Sequence, residues 1–195
     1  MDLLAAINTR RSIRNYSPEP VSKHQVNQLL HAAIQAPSAM NSQPWAFAVI
    51  QDPEVLKSMS DRAKAFLLSI MDQRPLMEKY RGAMMNSEFN IFYNASTLLV
   101  VYAKPEGPHP EDDCCLAAQN IMLMAHNMGL GSCWIGFARP LLNLPDVKQG
   151  LGVPEDYQAI APLIIGTPAG KAVDIPRKEP EILFWKQCAA QAVRI

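Results

Sequence analysis

Apolar and polar positions along the chain follow two different periods. Between Ser22 and Ala36, apolar residues recur at Val26, Leu29, Leu30, Ala33 and Ile34, a spacing that places one stripe on a helix. Ser22 followed three residues later by Gln25 is a capping-box pattern, so the helix opens there and stops before Pro37. The run WAFAVI (45–50), flanked by Pro44 and Gln-Asp-Pro, reads as a buried strand. Pro53 then suits the first turn of a second helix, with Leu56, Met59, Ala63, Phe66 and Leu67 at helical spacing. TLLVVYA (97–103) has the β-branched content of a central strand and is closed by KPEGPHP. The acids Glu111, Asp112 and Asp113 open a third helix, and Gly129 and Gly131 close it. From Cys114 to Ala125 this helix is interrupted only by Gln119 and Asn120, so it belongs either at the centre of the core or in a subunit interface. SCWIGF (132–137) and YQAIAPLIIGTP (157–168) supply two more strands. The tail from Lys171 is broken by prolines and then apolar, and Phe184 and Trp185 suit an arm laid on a partner chain. Helices and strands alternate, but not every interval holds a full crossover helix. The expected fold is therefore α+β, a mixed and mostly antiparallel sheet flanked by helices.

Composition changes this picture in three ways. With 195 residues, 49% of them apolar, the chain can bury a sizeable core, and about 150 residues per domain favours one domain over residues 1–195. Lys plus Arg and Asp plus Glu number 18 each, which argues against a nucleic-acid or anionic-membrane surface. No apolar run approaches the roughly 18 residues of a membrane span, and MDLLAAINTRR lacks the order of a signal peptide, so a cytoplasmic location is expected. Cys114, Cys115, Cys133 and Cys188 lack metal-ligand spacing, and His24, His31 and His109 have no nearby nucleophile. No metal site is expected, and the cysteines read as small buried hydrophobes.

Two polar stretches carry candidate chemistry. RRSIR (10–14) places Arg10, Arg11, Ser12 and Arg14 together, a set suited to bidentate contact with a phosphate, although a solvated basic face has the same composition. APSAMNSQPWAF (36–47) is a polar loop whose Asn41 and Gln43 amides both donate and accept, as the edge of a planar heterocycle requires. An ordinary helix-to-strand turn would look similar. Residues 60–92 are rich in methionine and fit either an adaptable apolar lid or plain packing.

In order along nearly the whole chain, RRSIRNY, APSAMNSQPWAF, GLGSCWIGF and PRK resemble the nitroreductase family of FMN-dependent flavoproteins. The resemblance implies a homodimer with FMN at the subunit interface, the apolar helix 114–125 lying in that interface. It implies that Arg10, Arg11 and Ser12 hold the FMN phosphate, completed by Arg177 and Lys178, while Arg14 reaches the pyrimidine end. It implies that Pro37, Ser38, Ala39, Asn41 and Gln43 reach the flavin from the other subunit, and that the Ile135 and Gly136 amides face N5 and O4. An asparagine and often a basic residue before the second strand complete the family's site; Asn86, Asn90 and Asn94 are present without a lysine or arginine. The activity implied is ping-pong hydride transfer from NAD(P)H through the flavin to a nitroaromatic or quinone, with no catalytic side chain. Flavin fragmentation, reductive dehalogenation and non-catalytic FMN binding are the alternatives.

Overall fold

A computed structural model describes residues 1–170 and 172–186; Cys188 and the end of the tail lie outside the described residues. Four strands form one sheet in the order β1-β2-β4-β3: β1 (Trp45–Ile50), β2 (Thr97–Ala103), β3 (Gly131–Trp134) and β4 (Gln158–Gly166). All three strand pairings are antiparallel, and the parallel element of the expected mixed sheet is a single bridge between Ser12 and Ser132.

Every residue of β2 is buried, because both faces of the sheet are covered. Its alternate side chains divide between two cores, Leu98, Val100 and Tyr102 on one face and Leu99, Val101 and Ala103 on the other. The second face is covered by α2 (Lys23–Ala33) and α5 (Pro110–Asn127). The first is covered by α3 (Pro53–Ile70), the short α4 (Arg81–Met85), and α6 (Arg139–Leu142) and α7 (Pro145–Gly150) between β3 and β4.

Local signals produced the expected elements. Ser22 Oγ accepts from the Gln25 amide at 3.2 Å while Gln25 Oε1 accepts from the Ser22 amide at 2.9 Å, closing the capping box. Asp52 caps α3 in the same sense. A short helix that periodicity did not reveal, α1 (Leu3–Thr9), is capped by Asp2 and leaves Leu3, Leu4 and Ile7 exposed. The apolar stretch of α5 buries Cys114, Ala117, Ala118, Ile121 and Ala125 in the core, while Leu116 is 45% exposed.

β3 is shorter than expected. The Ile135 amide still donates to Pro162 O at 2.8 Å, but Pro162 has no N–H to return, so the ladder ends. The chain then turns through a 3-10 segment, Gly136–Ala138.

The arginine-bearing segment runs along the free edge of β3. Ile13 N–H donates to Ser132 O at 3.0 Å, Ser17 N–H to Thr167 O at 2.9 Å, and Ala169 N–H to Asn15 O at 3.0 Å. Gly131 permits this approach, since a Cβ there would lie 2.8 Å from Ile13 Cβ. Gly131→Ala should therefore shift residues 12–14 and cost about 1–3 kcal/mol in urea unfolding, an overpacking penalty; unchanged stability would contradict the contact.

The methionine-rich region is divided. Ile91 and Phe92 are fully buried, the Ile91 amide donates to Ser60 Oγ at 3.0 Å, and buried Lys64 reaches Asp61 at 3.1 Å and Asn86 O at 3.1 Å. These groups fix the later part against α3. Residues 72–76 keep their side chains exposed.

Candidate functional site

Two cavities meet at Arg14. One, of about 470 Å³, is lined by Arg11, Ser12, Arg14, Asn15, Ile175 and Arg177 among others. The second, of about 370 Å³, is walled by Tyr93, Trp134, Phe137, Ile135 and Met77, with Arg14 and Arg74 as its charged members. Arg14 lines both, and its guanidinium carbon stands 5.9 Å from the centroid of the Tyr93 ring, a cation–π distance. A cationic chamber thus opens beside one walled by aromatic rings.

The basic cluster carries strain that an anion would relieve. Burial, then Arg177 and Arg11, hold the Arg10 guanidinium below its usual range, with Cys133 acting weakly in the opposite sense. Arg10 and Arg177 make no ion pair among the described residues. Arg11 is different: it donates to Asn8 O at 2.7 Å and Arg10 O at 2.9 Å and pairs with Asp174. Its Nη1 thus braces the end of α1 and its Nη2 is held by Asp174, while Nε is buried without a partner among the described residues.

His126, near the C-terminus of α5, reports on this cluster. The Thr9 hydroxyl donates to Ala5 O at 2.6 Å, so its 2.8 Å contact with His126 Nε2 is one in which the imidazole donates. Burial, then Arg10 and Arg11, hold the His126 pKa below its ordinary 6.5. The unfolded chain binds this proton more readily, so the stability linked to His126 is present above pH 6.5 and lost as pH falls through the folded value. A phosphate seated on the arginines should raise the His126 pKa. NMR titration with FMN should show that rise and riboflavin should not; equal curves would remove the phosphate from this cluster.

The second polar stretch lies elsewhere. Asp113, buried in the first turn of α5, accepts from Ala39 N–H at 3.1 Å and 3.3 Å, and Ser38 Oγ accepts from Gln43 N–H at 3.0 Å. Met40, Asn41 and Gln43 have φ of 55°, 55° and 48°, a costly backbone that these clamps maintain. Neither Pro37, Ser38, Ala39, Asn41 nor Gln43 lines either cavity. Asp113 and His126 are 13 residues apart on α5, so the loop and the arginines sit about 20 Å apart within one chain.

The two amides of the segment after β3 differ. Ile135 lines the aromatic chamber, but its amide donates to Pro162 O, whereas the neighbouring Gly136 N–H has no acceptor among the described residues. Lys178 is exposed and lines neither cavity. Arg74, Tyr93, Trp134, Phe137 and Asn15 were not anticipated: Asn15, Trp134 and Phe137 lie inside RRSIRNY and SCWIGF beside the residues singled out there, whereas Arg74 and Tyr93 come from segments with no local motif.

The family profile named Nitroreductase family matches residues 7–167. This chain belongs to the nitroreductase family. An Archaeoglobus fulgidus protein provisionally named NADH dehydrogenase/NAD(P)H nitroreductase is 36% identical over 172 residues, 86% of each chain. The Bacillus subtilis FMN reductase [NAD(P)H] is 27% identical over 192 residues, 92% of this chain and 71% of that protein. The crystal structure of a Desulfitobacterium hafniense nitroreductase with bound FMN superposes with a TM-score of 0.80 at 27% identity, covering 94% of this chain and 97% of that one. In this nitroreductase chain, no helix among the described residues is long and apolar enough to cross a membrane.

Proposed function

We propose that this chain is an FMN-dependent oxidoreductase that draws hydride from NAD(P)H and reduces a small acceptor, a nitroaromatic or quinone, in a ping-pong cycle. The observation that carries the reading is the convergence of guanidinium groups without a carboxylate partner among the described residues on two cavities that share Arg14, one cationic and one walled by aromatic rings. The donor set fits FMN: Arg10, Ser12 and Arg177 would hold the phosphate, with Lys178 adding positive potential, and Arg11 would contribute through Nε. Arg14 would lie along the pyrimidine edge, its charge stabilising electron density gained there. Gly136 N–H, without an acceptor among the described residues, would donate toward the ring, and Trp134, Phe137 and Tyr93 would exclude water around it. Bound there, FMN would supply a two-electron centre that takes hydride from a reduced nicotinamide and delivers reducing equivalents to an acceptor. Because donor and acceptor would share one chamber, they would occupy it in turn.

A homodimer completes the site on this reading. A two-fold axis across α5 would set the N-terminal end of one copy beside the C-terminal end of the other, bringing the partner subunit's Pro37–Gln43 loop to this chain's arginines. Exposed Leu3, Leu4 and Ile7 on α1, Met40 at 91% exposure, and Phe184 and Trp185 at 82% and 69% suit cover by a second copy and by a C-terminal arm. The free thiols Cys114, Cys115 and Cys133 suit the reducing cytoplasm.

The test is a visible absorbance spectrum of the purified protein, identification of the released chromophore, and anaerobic titration with NADH or NADPH. FMN that bleaches with the nicotinamide and recovers with an added acceptor supports the reading. A protein that neither carries nor takes up FMN overturns it.

A further inference from the structure

The arginines of the described chain fall into two sets. Arg11 pairs with Asp174, Arg62 with Asp146, Arg81 with both Asp72 and Glu78, and Arg139 with Glu111. Arg10, Arg14, Arg74 and Arg177 pair with no carboxylate among the described residues. Arg14, Arg74 and Arg177 line the two cavities, and Arg10 stands beside Arg177.

On the functional reading above, on which this inference rests, the FMN phosphate accounts for Arg10 and Arg177 and the flavin edge for Arg14. Arg74 is left over. It lies in the exposed turn between α3 and α4, where the nearby acids are already committed: Asp72 lies 2.6 Å and Glu78 2.7 Å from Arg81. That arrangement spends both carboxylates of the turn on one cation and leaves the other uncompensated. The same turn is anchored over the aromatic chamber by Tyr80, whose ring meets Phe137 edge-on at 5.1 Å between centroids. No carboxylate lines the chamber, whose other walls are apolar or aromatic. An aromatic acceptor stacked between such walls would meet a fork of unpaired donors at the rim.

We infer that Arg74 is a specificity-determining residue that binds an anionic substituent, a carboxylate or its like, on an aromatic electron acceptor. The anion could instead be a phosphate of the dinucleotide donor, and the experiment separates these sources. The FMN-loaded enzyme is compared with R74Q, R74K and R74E, using 4-nitrobenzoate and its neutral counterpart 4-nitrobenzamide as acceptors and NADH and NADPH as donors. Wild type should prefer the carboxylate. R74Q should lower kcat/KM for 4-nitrobenzoate by about tenfold, as loss of one charge-assisted contact implies, and keep 4-nitrobenzamide within about twofold. R74K should restore part of the difference and R74E should reverse the preference. Titrating 4-nitrobenzoate into the oxidised holoprotein, followed by flavin absorbance, should show binding weakened by about the same factor without turnover. Equal losses for both acceptors, no preference in wild type, or a rise confined to the KM of NADH or NADPH would overturn the inference. In those outcomes, retained FMN and turnover of the neutral acceptor leave the proposed function standing. A chain that takes up no FMN overturns both.

Discussion

Replacing Arg10 and Arg177 together by alanine is expected to weaken FMN binding by about two to four orders of magnitude, the loss of two charge-assisted contacts at roughly 1.5–3 kcal/mol each. The stability of the FMN-free protein should move in the opposite sense or not at all. Arg10 is half-buried, and burial and the neighbouring Arg177 and Arg11 all disfavour its charge. Removing it relieves repulsion, as long as no anion is present. FMN titration by flavin fluorescence, beside thermal unfolding with and without FMN, reads both effects. In wild type FMN should raise the Tm, and in the double variant that rise should vanish. Normal FMN affinity, or an FMN-free protein that unfolds far earlier than wild type, would return these arginines to a structural role.

Gly166→Val should unfold the protein more readily by about 3 kcal/mol, near the upper end of overpacking costs. A Cβ at Gly166 would stand 2.7 Å from Tyr16 Cδ1 and 3.3 Å from Cγ, so the ring must leave. Its departure has further consequences, because the Tyr16 hydroxyl donates to Ile13 O at 2.7 Å and its backbone bridges Pro168. Tyr16 thus pins the strap whose other end carries Arg10 to Arg14. Burial and the neighbouring Cys133 thiol push the Tyr16 phenol above its usual range, with Arg14 opposing, which agrees with a packed ring. Urea unfolding of Gly166→Val, Tyr16→Ala and the double variant measures the coupling: the double should cost clearly less than the sum of the singles. Additive costs would mean that the two residues do not press on one another.

The same contrast between local and distant determinants runs through the whole molecule. Ser22 and Gln25 are three residues apart, so their capping box is written in one turn of chain, and α2 begins where that pattern says. β1 and β2 keep the bounds of their apolar runs, WAFAVI and TLLVVYA, for the same reason. β3 does not: its last rung depends on Pro162, 27 residues beyond Ile135, and no window around SCWIGF contains that proline. Arg11 and Arg10 are adjacent in sequence and equal in charge, yet one is paired with Asp174, 163 residues away, and the other has no carboxylate partner among the described residues.

What the sequence determined by itself was the four strands and the three long helices α2, α3 and α5, the α+β class, the family resemblance carried by RRSIR, PSAMNSQPW and CWIGF, and the kind of ligand those residues suit. These follow from signals spanning a few residues: periodicity, caps, turn formers and side-chain chemistry. Tertiary structure alone decided which cations lack a carboxylate partner among the described residues, that the Ile135 amide is occupied while Gly136 N–H meets no acceptor among them, and that the Ser38–Gln43 loop and the arginines sit at opposite ends of α5. It also assembled Arg74, Tyr93 and Phe137 into one chamber. The physical reason is that a hydrogen-bond donor or a charge is spent or free according to what the fold brings within about 3 Å of it, and that neighbour is usually remote along the chain.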